Sequence, residues 1–241
     1  MKKLKKVIKI ILIVIIVIFV LFGLYKTFNF YYKKSIYAKI YENINKNYWA
    51  EVKWIELSEP DKIVRKNIYW NNEKYLKVIY EYANSDKNNN QIMSRKLYKD
   101  KDENIVVTTF ENMNEFNKDV AYVNDSNFVG AHSIFETYNP EYFNYGDNLI
   151  EKIKNTFVEI AWAPILITSE KYEGKDCYKL VEYFGGTSPV IIRYVEKETF
   201  LPVATIDKLN NQKEEYNFQV REVTDEEIDL PNLSNYYVMV N

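Results

Sequence analysis

Few residues in this chain are of types that do chemistry. The only histidine is His132, in VGAHSIF, so any centre that needs two imidazoles is absent, and a lone one reads as structural or surface. No G-x-S-x-G, G-x-x-x-x-G-K or G-x-G-x-x-G pattern occurs, and no paired-cysteine zinc spacing, so the ordinary hydrolase, nucleotide and zinc templates fail. Carboxylates are plentiful. Asp225, Glu226, Glu227 and Asp229 in VTDEEIDLP could hydrolyse a glycoside if one were desolvated, but acids crowded beside a proline read as a solvated turn. Asp100 and Asp102 in KDKDEN fall at an expected hairpin tip that lacks the spaced oxygen ligands of a calcium loop. Cys177 is the only cysteine, which excludes an intramolecular disulfide, and its strand-like setting in DCYKLVEYF reads as a buried thiol. No enzyme, metal or cofactor is expected, and a carboxylate-based hydrolase is the remaining alternative.

The aromatic residues carry more promise, at 16% of the chain. Tyr69, Tyr80, Tyr82, Phe157, Trp162, Tyr178, Tyr194 and Phe218 fall on expected strands or on a helix. On the inner face of a concave sheet they would line a cavity for a lipid or another apolar group, since ligand pockets are mostly apolar with few polar groups. The alternative is that they fill a dry core against the helix at 149–160.

The elements that must position them follow from periodicity. In SIYAKIYENINKNY, Ile36, Ile40, Ile44 and Tyr48 recur every four residues beside Tyr37 and Tyr41, a helical stripe that either continues outward from the preceding apolar run or packs on the following sheet. From Trp49 short strand-like segments alternate with polar clusters: YWAEVKWIEL, KIVRKNIYW, KYLKVIYEYA, IMSRKLYK, ENIVVTTF and DVAYV, with NSDKNNNQ as a long hairpin loop. DNLIEKIKNTFVEIAWAP predicts one helix, capped by Asp147, stopped by Pro164, with Leu149, Ile153, Phe157 and Ile160 on one face. Strands return in ILITSEKYEG, KDCYKLVEYF, the hairpin VIIRYVEKETFLPVATID and EEYNFQVREV, with turns at Gly174 and GGTS. The fold class expected is mainly β (α+β): an N-terminal transmembrane helix, then a large curved antiparallel sheet packed with one or more helices.

The N-terminal run is unbroken and apolar from Ile10 to Tyr25. With Val7 and Ile8 it makes about 19 residues, roughly 28 Å of helix, enough to span a bilayer. The next residues, Gly23 to Phe28, hold no small-x-small cleavage site, and a lipoprotein signal would need a cysteine there, so an uncleaved signal anchor is expected. Lys2, Lys3, Lys5, Lys6 and Lys9 crowd the short side, which favours an N-terminus inside and the long part outside. The divisions expected are a basic tail at 1–9, the anchor at 10–25, a juxtamembrane helical segment at 26–48 and an extracytoplasmic β domain at 49–241. Residues 35–241 hold 24 basic against 34 acidic residues, a net charge of −10, which removes the electrostatic basis for binding nucleic acid.

In the C-terminal half, YEGKDCYKLVEYF, VIIRYVEKETFLPVATID, EEYNFQVREV and VTDEEIDLPNLSNY in succession resemble the LolA/LppX-like superfamily of bacterial envelope proteins. The hairpin match falls on Tyr194, Val195, Glu196, Lys197, Thr199, Leu201 and Pro202, with Glu196 and Phe200 standing where Asp and Gly are common. The resemblance covers residues 165–235, and 48–125 in alternation and strand spacing. It implies a half-open antiparallel barrel closed by helices, with a hydrophobic cavity that in many members binds lipids or lipoprotein acyl chains, and it brings no catalytic set. A helix-anchored member cannot shuttle between membranes. The partners expected are the bilayer, a lipid or lipoprotein acyl chain, or an envelope protein docked on the sheet if the core is filled.

Overall fold

The computed structural model describes residues 2–44, 46–71, 75–83, 92–99, 104–110, 120–123, 138, 146, 148–162, 165–183, 188–229 and 232–240. Side chains of 2–5, 61–62, 75–83, 92–99, 104–110, 120, 122, 162, 165 and 235 are outside that description. The expected loop at 84–91, the first three residues of the GGTS turn at 185–188, His132, Asp100 and Asp102 all lie outside the described residues.

The chain opens with one continuous helix, α1 (Lys2–Ile44), 43 residues and about 65 Å long. Both outcomes foreseen for its stripe occur together, because nothing interrupts the helix between its two halves. From Val7 to Phe22 every large apolar side chain is 44 to 71% exposed, and the segment is long and apolar enough to cross a membrane. From Phe30 the same helix turns amphipathic, and Phe30, Ile36, Tyr37, Ile40 and Ile44 are all buried. Tyr48, foreseen as the end of that stripe, is instead the first residue of a strand and is buried there.

The strands are β1 (Tyr48–Glu56), β2 (Glu59–Asn71), β3 (Tyr75–Ala83), β4 (Ile92–Lys99), β5 (Asn104–Phe110) and β6 (Val120–Val123), then β7 (Ile165–Tyr172), β8 (Lys175–Glu182), β9 (Ile191–Glu196), β10 (Pro202–Asp207) and β11 (Gln212–Val220). Between β6 and β7 comes α2 (Leu149–Trp162), and after β11 come α3 (Asp225–Ile228), a 3-10 turn (Leu233–Asn235) and β12 (Tyr237–Val240). They form one open 12-stranded sheet in the order β12-β6-β5-β4-β3-β2-β1-β11-β10-β9-β8-β7. Two antiparallel meanders are thus joined where β1 pairs with β11 along its whole length, Tyr48 opposite Val220 through Glu56 opposite Gln212. β12, a strand beyond those expected from the sequence, adds a parallel pairing with β6.

Register divides each strand between two faces. Ala50 stands opposite both Phe218 and Ile68, Val52 opposite Tyr216, and Tyr178 opposite Val195, and these residues share the face on which α1 packs. The other face carries Cys177, Tyr194, Val203 and Ala204, with Tyr172, Ile192 and Ile206 against them. Burying a side chain such as Ile40 removes enough apolar surface from water to contribute about 1.5–3 kcal/mol, so the α1 stripe is a main part of the core.

In the β9–β10 turn Phe200 takes a conformation that glycine most readily fills. Its φ is +54°, in the left-handed region that a bulky residue occupies at a cost of about 1–2 kcal/mol. Its ring is used in return: it lies 5.8 Å from the Tyr178 ring and 4.3 Å below Lys39 Nζ of α1. Asn43 Nδ2 donates to the Thr199 carbonyl at 2.7 Å, so the last turns of α1 clasp this hairpin.

Candidate functional site

The eight aromatic residues singled out in the sequence do not meet in one place. Tyr178 and Phe218 lie on the α1 face, where Tyr178 meets Tyr32 edge-on at 6.0 Å and Phe218 lies 5.4 Å from Tyr48. Tyr194 is on the opposite face, buried and stacked on Tyr172 at 4.3 Å. Half-buried Tyr69 stands opposite Trp49, out of step with the α1-facing Ile68 and Trp70. Tyr80 and Tyr82 pair in register with Lys66 and Val64, and their side chains, like that of Trp162 at the end of α2, are outside the described residues. Phe157 is on α2 and 71% exposed. The period of two along a strand separates neighbours that composition alone puts together.

On the α1 face, charge as well as apolar bulk fills the space. Lys33 Nζ lies 3.3 Å from Glu182 Oε1, Tyr37 donates its hydroxyl to the same oxygen at 3.1 Å, and Arg193 Nη1 donates to it as well. Lys33, Glu182 and Arg193 are all buried. Burial alone would raise the Glu182 carboxyl, but the Arg193 and Lys33 charges outweigh it and hold it at about 2. The sequence carried a signal for this group: Glu182 and Arg193 interrupt the apolar runs LVEYF and IIRYV, and a charge inside such a strand needs a partner.

A second region lies where α1 leaves its exposed apolar half. Asn148 caps α2, its Oδ1 accepting from the Glu151 amide at 3.0 Å, in the role foreseen for Asp147, which lies outside the described residues. At the other end Lys26 Nζ donates to the Ala161 carbonyl at 2.9 Å, tying α2 to α1. Between Tyr31 and α2 runs an open groove of about 560 Å³, lined by Leu149, Lys152, Ile153, Thr156, Phe157 and Ile160. Of the face foreseen for this helix only Ile160 packs on the core, while Leu149, Ile153 and Phe157 are exposed. Glu159 is half-buried on the inner side, its carboxyl pushed up by burial against the pull of the Lys33 charge.

Among the described residues a further hollow is polar, about 260 Å³ on the far face, with Glu51, Lys53, Glu173, Lys175 and Glu215 mixing both signs of charge. The acidic run after β11 is a helix start: Glu227 takes both Arg221 nitrogens at 2.9 and 2.7 Å and the Thr224 amide at 3.0 Å. Cys177 is fully buried. Among the described residues no group of three His, Cys, Asp or Glu is placed to hold a metal ion.

No family model matches the chain, and no curated protein matches it. Among solved structures it is similar to two of the MucA/MucB complex, one from Pseudomonas aeruginosa, with TM-scores of 0.35 and 0.33 and identities of 8% and 9% over 82% and 80% of this chain. In both, this chain spans only 59% of the matched chain. It is also similar to a LolA superfamily protein from Nitrosomonas europaea, with a TM-score of 0.29 and 10% identity over 81% of this chain and 96% of that one. An outer membrane lipoprotein-sorting protein domain from Vibrio parahaemolyticus gives a TM-score of 0.26 and 7% identity over 77% and 90%. With every one of these TM-scores at 0.35 or below, none of the likenesses carries an argument about this chain.

Proposed function

We propose that this is a single-pass membrane protein whose extracytoplasmic β domain binds an apolar group at the surface of the membrane that holds it. In this reading residues 1–9 are cytoplasmic, 10–25 cross the bilayer, 26–48 rise from it and 49–241 lie outside. The observation that carries it is the groove of about 560 Å³ beside Tyr31, where an open apolar surface meets the end of the apolar run. A groove of this size and lining suits an acyl chain of a lipid or lipoprotein, entering from the side. The sheet face beneath α1 is taken by α1 itself, which moves the expected ligand from the sheet to the groove.

The test is native mass spectrometry of the 26–241 domain isolated from cells without detergent, with displacement of a fluorescent fatty acid. A retained lipid mass, and loss of probe binding in Ile153→Ser with Phe157→Ser, is the expected result. A ligand-free mass with no probe binding overturns it. Protease applied to whole cells should remove the β domain if it lies outside.

A second reading has its own observation: among the described residues α1 covers the sheet face over β1, β2, β8, β9 and β11, and the sheet serves as an interaction module for an envelope protein. Crosslinking that captures one stoichiometric protein and no lipid would favour it.

A further inference from the structure

We propose that α2 is an interfacial helix, lying in the headgroup–acyl boundary of the leaflet from which α1 emerges, with Leu149, Ile150, Ile153 and Phe157 turned into the lipid. The proposal rests on the anchored reading above. It concerns the bilayer as a surface, whereas the groove concerns a single bound molecule.

The first observation is that α2 docks the wrong way round for a helix in water. An amphipathic helix on a globular domain turns its apolar stripe to the core. Here Ile160 reaches the core beside the half-buried polar Asn155, Thr156 and Glu159, while the rest of the apolar side, Leu149, Ile150, Ile153 and Phe157, is 73, 78, 61 and 71% exposed. A contiguous apolar face of this kind marks a contact with a partner or a membrane.

The second observation is position. The Lys26 Nζ bond to the Ala161 carbonyl holds one end of α2 beside the residue that ends the apolar run of α1. Tyr31 shares a groove with Ile153 and Phe157. Lys26 and Tyr31 are about 8 Å apart along the α1 axis, within the depth of roughly 5–10 Å at which interfacial helices lie. The exposed rings of Tyr25, Phe28 and Tyr31 occupy the same level, where aromatic residues girdle membrane-spanning helices. The exposed side of α2 is therefore continuous with the exposed apolar surface of α1, and what covers one covers the other.

The experiment uses the full chain in vesicles of phosphatidylcholine and phosphatidylglycerol, with single spin labels at Ile153→Cys, Phe157→Cys, Glu151→Cys and Phe19→Cys; buried Cys177 stays unreactive, and Cys177→Ala gives a second background. Collision with oxygen is compared with collision with a water-soluble nickel chelate. The expected result is an oxygen-to-nickel ratio several-fold higher at 153 and 157 than at 151, approaching the value at 19. Ile153→Ser with Phe157→Ser should return a label at Ile150→Cys to water. Equal nickel access at 157 and 151 overturns the proposal while a lipid-exposed 19 leaves the anchor standing. Spin–spin broadening at 157 also overturns it, since a second copy then covers the face. Water access at 19 removes the anchored reading itself.

Discussion

Two helices of this chain carry an apolar stripe at three- and four-residue spacing, and they present it to opposite sides. In the C-terminal half of α1 the stripe of Phe30, Ile36, Ile40 and Ile44 faces the sheet and is buried. In α2 Leu149, Ile153 and Phe157 of the stripe face away from the sheet, and Ile160 alone of it reaches the core, beside the half-buried Asn155, Thr156 and Glu159. The two patterns are alike in the sequence, and the difference lies in which helix occupies the sheet face. α1 covers the apolar face of the sheet, and α2 meets a flank of the domain where Lys26 and Lys33 offer polar contacts. An apolar stripe therefore states that something apolar will cover it, and the neighbours decide whether that is the core or a membrane.

The largest effect expected from pressing on this contrast is in truncation. Removing 1–25 keeps the buried stripe of α1, and the remainder should fold cooperatively; removing 1–45 strips the core of that stripe, and the remainder should show neither near-ultraviolet dichroism nor a cooperative melt. Equal folding of the two would break the comparison. The point substitutions are graded versions of the same test. Ile40→Ala should cost about 2–5 kcal/mol in denaturant titration, through lost burial and the cavity left behind. Ile153→Ala on α2 should stay within about 0.5 kcal/mol.

Next in size is the buried ion group that fixes α1 to the sheet. Glu182→Ala leaves Arg193 and Lys33 buried without their carboxylate and should cost about 3–5 kcal/mol. The same group gives a pH dependence whose sign is fixed. The Glu182 carboxyl is held at about 2 in the folded protein against an ordinary 4.5, so its contribution is complete above pH 4.5 and is lost as pH falls toward 2. That loss is on the order of 3 kcal/mol, and it should be missing from the acid melting curve of Glu182→Gln. The smallest effect is Phe157→Ser, for which stability in detergent should be unchanged within about 0.5 kcal/mol. A large loss there would mean that α2 is part of the core after all.

Much of the fold was legible in the sequence for a physical reason: strand alternation and helical spacing are both direct records of burial. The strands from Tyr48 to Val220, the inserted helix and the hairpin at Pro202 could be read in this way. β12 could not, because its partner β6 is more than a hundred residues earlier and YYVMV has no polar alternation to mark a face. The candidate site was less legible. Tyr194 and Val195 are adjacent and both buried, since β9 is covered on both faces, so alternation cannot assign Tyr194 to one side. Phe157 was found as an apolar helix residue, but its direction depends on contacts made by Lys26 and Ala161 more than a hundred residues apart. Glu182 and Arg193 were visible as charges in apolar strands and could have been paired on that ground alone.

The unbroken course of α1 has a mechanical consequence. From Tyr25 to Ile44 the helix rises about 29 Å with no hinge, and its last turns are clasped to the sheet through Asn43 and Lys39. In the anchored reading proposed above, with residues 10–25 in a bilayer, any tilt the span adopts to match membrane thickness becomes a tilt of the whole sheet. Under that proposal the domain is a post with a thickness-dependent lean, and what it meets comes to it along the membrane.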